Sequence, residues 1–193
     1  MENESKKRIA IFGGSFDPPH LGHVAIVKKA LETLPVEKVV VVPAHISPFK
    51  KGHAAPARLR LAWLKKLFAG EPRVEVSDLE VRKGGPSYTI DTVERLGRDF
   101  DTIYLIIGAD NLEGLTRWHH FDDLNGMVRW VVATRDDRPI PEGYIRLDVR
   151  MPVSSTRLRE RIDPTWIPEA IRDEVVTYYR PVENDKKQTT KNM

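Results

Sequence analysis

Runs of consecutive apolar residues and stretches with apolar positions three and four apart follow one another along this chain. Residues 8–12 form a short β-rich run that empties into Gly13-Gly14 and the turn-forming Asp17-Pro18-Pro19, which predicts a strand followed by a constrained loop. Val24, Val27, Ala30, Leu31 and Leu34 then recur at helical spacing and share one face until Pro35 interrupts the pattern. Residues 38–42 predict a second strand. Its Val39-Val40-Val41-Val42 run is apolar without alternation, as in a strand covered on both faces of a parallel sheet. A loop over 43–56 leads into a predicted helix over 57–69, and Val74 and Val76 mark another strand. Further along, 88–96 reads as helix, 102–107 and 127–134 as strands, and 155–161 and 168–179 as helices.

Strand–helix units repeated with short connections predict an α/β fold: one domain over 1–182, built on a doubly wound, mostly parallel sheet. In such a sheet the ligand crevice lies beyond the carboxyl ends of the strands, so the loops after strands are where chemistry belongs. The 193 residues suffice for one well-buried domain of this kind. Residues 183–193 are polar, carry no apolar periodicity and are expected to be a disordered tail.

Composition narrows the function. Lys plus Arg is 31 against 28 for Asp plus Glu, a formal charge of only +3, which argues against a nucleic-acid partner. Cysteine is absent, which excludes disulfides, a thiolate nucleophile and a Cys-ligated metal. Neither a secretory leader nor an apolar run of membrane-spanning length is present, so a cytoplasmic protein without a membrane partner is expected.

The loop after the first strand reads Gly13-Gly14-Ser15-Phe16-Asp17-Pro18-Pro19-His20-Leu21-Gly22-His23. Its glycines permit close backbone approach, and the amides and positive end of the following helix favour an anion. His20 and His23 can each direct an N–H at a phosphoryl oxygen. The same residues are compatible with a plain turn bearing solvated or core histidines, and with a zinc site, although no third ligand and no Glu of a metalloprotease helix is evident. Neither G-x-x-x-x-G-K-[ST] nor G-x-G-x-x-G occurs here, which counts against Walker-type ATPases and dehydrogenases. Near the other end, Val153-Ser154-Ser155-Thr156-Arg157-Leu158-Arg159 offers Ser154 or Ser155 as a helix cap, the Thr156 hydroxyl, and Arg159 as a phosphate fork.

These two segments resemble the signatures of the nucleotidylyltransferase superfamily, His-x-Gly-His and I-S-S-T-x-I-R, with Val153 and Leu158 as conservative departures from the second. The resemblance implies a Rossmann-like fold, phosphate contacts from His20, His23 and Arg159, and ATP contacts from Gly13, Gly14, Ser15, Phe16, Gly22, Ser154, Ser155 and Thr156. Three further segments, Pro86-Ser87-Tyr88-Thr89-Ile90-Asp91-Thr92, Ile107-Gly108-Ala109-Asp110-Asn111-Leu112 and Trp118-His119-His120-Phe121, are similar to stretches of the nicotinate mononucleotide adenylyltransferases. So is the closing Ile167-Pro168-Glu169-Ala170-Ile171. That likeness implies contacts from Tyr88 and Thr89 to the pyridine carboxylate, from Gly108 and Asp110 to ribose and adenine, and from Trp118 to the ring face. Pro48-Phe49-Lys50-Lys51 stands where the family often shows P-H-K, which implies Lys50 as a phosphate contact, with Lys51 as the alternative. ATP and nicotinate mononucleotide are the implied partners, with Mg²⁺ accompanying ATP and no metal held by protein side chains. Transfer to a phosphate already ionised at neutral pH needs no general base, so positioning and electrostatic stabilisation suffice. A sister transferase acting on nicotinamide mononucleotide or phosphopantetheine, and a noncatalytic dinucleotide sensor, are the competing readings.

Overall fold

Every strand of the sheet runs in the same direction. The computed structural model describes residues 7–49, 52–134 and 139–180; the expected phosphate contact Lys50, its alternative Lys51 and the expected tail at 183–193 lie outside them. Six strands, β1 (Arg8–Gly14), β2 (Lys38–Pro43), β3 (Val74–Val76), β4 (Thr102–Gly108), β5 (Arg129–Thr134) and β6 (Ile145–Asp148), form one sheet in the order 3-2-1-4-5-6. All five pairings are parallel, with Phe12 opposite both Val41 and Ile106 at the centre. This order reverses direction between β1 and β4, which opens a crevice at the carboxyl ends of those two strands.

Among the described residues seven helices accompany the strands: α1 (Leu21–Thr33), α2 (Ala57–Leu67), α3 (Leu79–Lys83), α4 (Thr89–Leu96), α5 (Phe121–Met127), and, after the last strand, α6 (Ser155–Glu160) and α7 (Arg172–Tyr179). Alternate residues of the central strands feed two cores. Ala10, Phe12, Val39, Val41, Tyr104 and Ile106 pack on one face with Val27 and Ala30 of α1 and Leu64 of α2. Ile9, Ile11, Val40, Val42, Leu105 and Ile107 pack on the other with Ile90 and Val93 of α4 and Leu124 of α5. The unalternating valine run is therefore sandwiched, with Val39 to Val42 no more than 2% exposed. A third cluster joins Trp63 of α2 to Leu158 of α6 and to Ile171, Val175 and Val176, docking the α7 end of the fold against α2. Among the described residues no helix is long and apolar enough to cross a membrane.

Several boundaries differ from the sequence expectation. Met127 ends α5, and the strand expected from that residue begins at Arg129. The helix expected over 168–179 is a 3₁₀ turn at Glu169–Ile171 followed by α7, because Ile167, Ile171 and Val175 satisfy the spacing of either arrangement. A 3₁₀ segment at Ala109–Arg117, the short α3 and α5, and the edge strand β6 carry too few apolar positions to show a period.

Candidate active site

The loop leaving β1 occupies the centre of the sheet's carboxyl edge, and its residues are held from several directions. Phe16 has φ of 49°, a left-handed conformation that a bulky side chain adopts only when its surroundings compel it. Its ring is 2% exposed and packs edge-on against Phe12 and His23, with centroids 5.3 and 4.8 Å away, so only its backbone is left to meet a nucleotide. Gly14 has no side chain because a Cβ there would lie 3.1 Å from that ring, whereas a Cβ at Gly13 would meet nothing within 4 Å. Gly13 therefore leaves space for a ligand against the backbone.

His20 and His23 stack with ring centroids 3.7 Å apart and planes 23° from parallel. His20 precedes α1, is 1% exposed and lies over Gly22, where a Cβ would come within 2.9 Å of its Cε1. His23 is half-buried, and its Nδ1 accepts from the His20 backbone N–H at 3.1 Å. An accepting Nδ1 puts the proton of the neutral ring on Nε2, so His23 is fixed as a donor on its far side.

The second motif closes over the same loop. Ser154 caps α6 by accepting from the Arg157 N–H at 3.3 Å, and the Ser155 hydroxyl donates to the Pro18 carbonyl at 3.0 Å. Arg159 donates from Nη1 to the Asp17 carbonyl at 2.6 Å and from Nη2 to the Thr156 hydroxyl at 3.2 Å.

Two charged residues that the sequence left as turn or surface are central to this assembly. Asp17 is 2% exposed; its carboxylate accepts from the Ala54 and Ala55 N–H groups at 2.8 and 3.0 Å and from the Tyr179 hydroxyl of α7. Burial opposes its ionisation, but those hydrogen bonds and the Arg159 charge prevail and hold it below the usual carboxylate range. The same contact, with burial as the larger cause, pushes the Tyr179 phenol upward. Arg60 is fully buried and donates to the carbonyls of Ser15, Ala44 and Ala55 at 2.5, 2.8 and 2.9 Å, tying the loops after β1 and β2 together. Its place on the apolar stripe with Trp63 and Leu64 was the signal that could have revealed it.

Two cavities gather the expected site residues. One, of ≈ 310 Å³, is lined by Gly22, Ile26, Gly108, Ala109, Asp110, Ala133, Thr134, Val149, Met151 and Ser154, and so joins residues of both signature motifs to the segment after β4. A Cβ at Gly108 would fall 2.4 Å from Asp110 Oδ1, so a side chain there would push the Asp110 carboxylate aside. The other, of ≈ 200 Å³, brings Tyr88, Thr89 and Trp118 together with Pro48, Phe49, Ser87, Arg117 and His119. Phe49 stacks on Trp118 at 6.2 Å, and Tyr88 meets His119 at 4.3 Å. Among the described residues no group of three or more His, Asp or Glu is placed to hold a metal ion.

A parallel sheet of this order, with a glycine loop and paired imidazoles at its switch point, defines a nucleotide-binding α/β protein of the nucleotidyltransferase type. Residues 11–161 match the cytidylyltransferase-like family. The chain is 46% identical over 175 residues to a Nitratiruptor sp. protein named "Probable nicotinate-nucleotide adenylyltransferase", covering 90% of this chain and 99% of that one. It is 44% identical over 172 residues to a protein of the same name from Sulfurimonas denitrificans, covering 89% and 94%. The solved structure of Plasmodium falciparum nicotinic acid mononucleotide adenylyltransferase complexed with NaAD shares its fold, with TM-score 0.70 at 19% identity over 89% of this chain and 96% of that one. This chain belongs to the cytidylyltransferase-like family, on its nicotinate-nucleotide adenylyltransferase branch.

Proposed function

We propose that this protein transfers the adenylyl group of ATP to nicotinate mononucleotide, forming nicotinate adenine dinucleotide and pyrophosphate in NAD biosynthesis. The observation that carries the reading is that residues of both signature motifs share one cavity with Gly108 and Asp110, while Tyr88, Thr89 and Trp118 share another. The names of relatives up to 46% identical support it. Adenosine occupies the larger cavity beside Gly108 and Asp110, and its phosphates run along Gly13, Gly14, Ser15 and the Phe16 backbone toward Ser154, Ser155, Thr156 and Arg159. The pyridine ring enters the smaller cavity between Trp118 and the Tyr88-Thr89 backbone.

In the reaction a mononucleotide phosphate oxygen attacks the α-phosphorus, the bond to the β-phosphate oxygen breaks, and pyrophosphate leaves with that electron pair. His23 meets the reacting phosphoryl group through Nε2–H and His20 supports it from the stack, while Arg159 and Lys50 hold the triphosphate. Mg²⁺ would come as the companion of ATP, held on the nucleotide's own phosphates. Substrates of this kind are metabolites of the cell interior, which accords with a cytoplasmic location.

Pyrophosphate release measured with nicotinate mononucleotide, nicotinamide mononucleotide and phosphopantetheine in parallel tests the proposal. Turnover highest with the first is expected. Tight dinucleotide binding without pyrophosphate release from any acceptor would replace it with a sensor.

A further inference from the structure

Phe49 is an exposed ring on a firmly held stem. Among the described residues it is the most exposed of the large apolar side chains, at 59%. The backbone leading to it is fixed at four successive positions. The Ala44 carbonyl accepts from Arg60 at 2.8 Å, and the His45 N–H donates to Ser87 Oγ at 2.9 Å. The Ile46 carbonyl accepts from the Ser87 N–H at 2.9 Å, and the Ser47 N–H donates to the buried imidazole of His53 at Nε2, 3.2 Å away. Ile46 also pairs with Pro86 as a parallel bridge. A ring left so far in water adds little to the fold, because stabilisation follows the apolar area removed from solvent. Its placement is therefore explained by what it faces.

It faces Trp118 across the smaller cavity, which both rings line, with planes 30° from parallel. Trp118 is braced by Trp130 of β5, edge-on at 75° and 6.2 Å, and packs on the core beneath that strand. The 6.2 Å between the Phe49 and Trp118 centroids lies toward the loose end of the range for ring pairs, about 4.5 to 7 Å. A third flat ring clasped between two others needs about 3.5–4 Å on each side, roughly 7–8 Å in all. An outward shift of about 1–2 Å by the exposed Phe49 side chain would admit it. The chemistry of the two faces suits such a guest. The ring nitrogen of a pyridine mononucleotide is bonded to ribose and carries a positive charge, which the π faces of Trp and Phe attract.

We propose that Phe49 is a second acceptor-binding ring, which with Trp118 clamps the pyridinium of nicotinate mononucleotide from both faces while its carboxylate edge turns to the Tyr88-Thr89 backbone. The inference deepens the adenylyl-transfer reading and rests on it. Phe49→Ala is expected to raise KM for nicotinate mononucleotide about fivefold to a hundredfold, while KM for ATP stays within about twofold. Phe49→Tyr, which keeps the π face, should stay within about threefold of the wild type. Phe49→Leu, apolar but without that face, should recover only part of the loss. Melting temperatures should agree across the series, since the ring is exposed. Equal rises in both KM values for Phe49→Ala, or a Phe49→Leu variant indistinguishable from the wild type, would overturn the clamp.

Proton spectra of nicotinate mononucleotide with the protein read the stacking without turnover, taken with and without an α,β-methylene analogue of ATP. The pyridine protons are expected to move upfield on binding, and to lose much of that shift in Phe49→Ala and in Trp118→Ala. Shifts identical in Phe49→Ala and the wild type, or no upfield shift in the wild type under either condition, would refute the clamp. A wild-type protein that shows the shift and releases no pyrophosphate would sink adenylyl transfer and leave the clamp standing.

Discussion

The imidazoles of His20 and His23 share a stack, and removing either takes away one surface on which phosphoryl charge would be stabilised. His20→Ala is expected to lower kcat by about a hundredfold to a thousandfold with an unchanged circular-dichroism spectrum, since it removes the stack that aims the His23 donor. Near wild-type kcat in a folded variant would show that the stack is not catalytic. Arg60 makes a different kind of demand. Its fork reaches four carbonyls, those of Ser15, Ala44, His45 and Ala55, which the single ammonium of a lysine cannot do. Arg60→Lys is expected to destabilise the fold by about 3 kcal/mol or more, because buried carbonyls lose their partners. Urea melts would read this, and an unchanged midpoint would mean that water or a shifted lysine replaces the fork. The two histidines were legible in the sequence because their spacing and the flanking glycines are local. Arg60 and Asp17 were not, since a charged residue reads as solvated until the elements that bury it are assembled.

α7 acts on the opposite end of the chain through one hydroxyl. Tyr179 donates to Asp17, and its loss in Tyr179→Phe leaves a buried carboxylate oxygen short of a partner, at a cost of about 1–3 kcal/mol near neutrality. The pH dependence follows from the depressed pKa of Asp17. Stability from this carboxylate is present above its unfolded pKa and is lost as pH falls through its folded one. Tyr179→Phe raises the folded pKa toward the unfolded value, so acid unfolding should begin at a higher pH than in the wild type. Denaturant melts from neutral to acid pH check the shift, and identical acid limbs would remove Tyr179 from the account. At this scale the long elements were legible: the valine run announced itself by unbroken apolarity, and α1 and α4 by their helical spacing. β6, with Leu147 as its buried anchor, and the five-residue α3 could not, because a period needs more repeats than they contain.

For the whole molecule, the proposed acceptor slot predicts selectivity. The N–H groups of Tyr88 and Thr89 at the start of α4 suit a carboxylate, and an amide would turn its NH₂ toward one of them. A preference in kcat/KM for nicotinate over nicotinamide mononucleotide of about tenfold to several-thousandfold is expected at saturating Mg-ATP. Trp118→Ala should raise KM for both and leave their ratio largely intact, since stacking does not distinguish them. Equal values in the wild type would refute the carboxylate assignment and leave adenylyl transfer standing. The parallel sheet was legible from strand–helix alternation, whereas the meeting of Phe49 with Trp118 depends on which loops the strand order makes neighbours. That order also has a consequence in time. β1 leaves the ribosome before the other five strands, yet the loop behind it is tied down by Ser155, Arg159 and Tyr179, lying 137, 142 and 162 positions beyond their partners. A nascent chain halted between β6 and α6 carries all six strands and none of these ties. Synthesis therefore supplies every strand of the sheet before the ties of the proposed catalytic loop, which arrive only with α6 and α7.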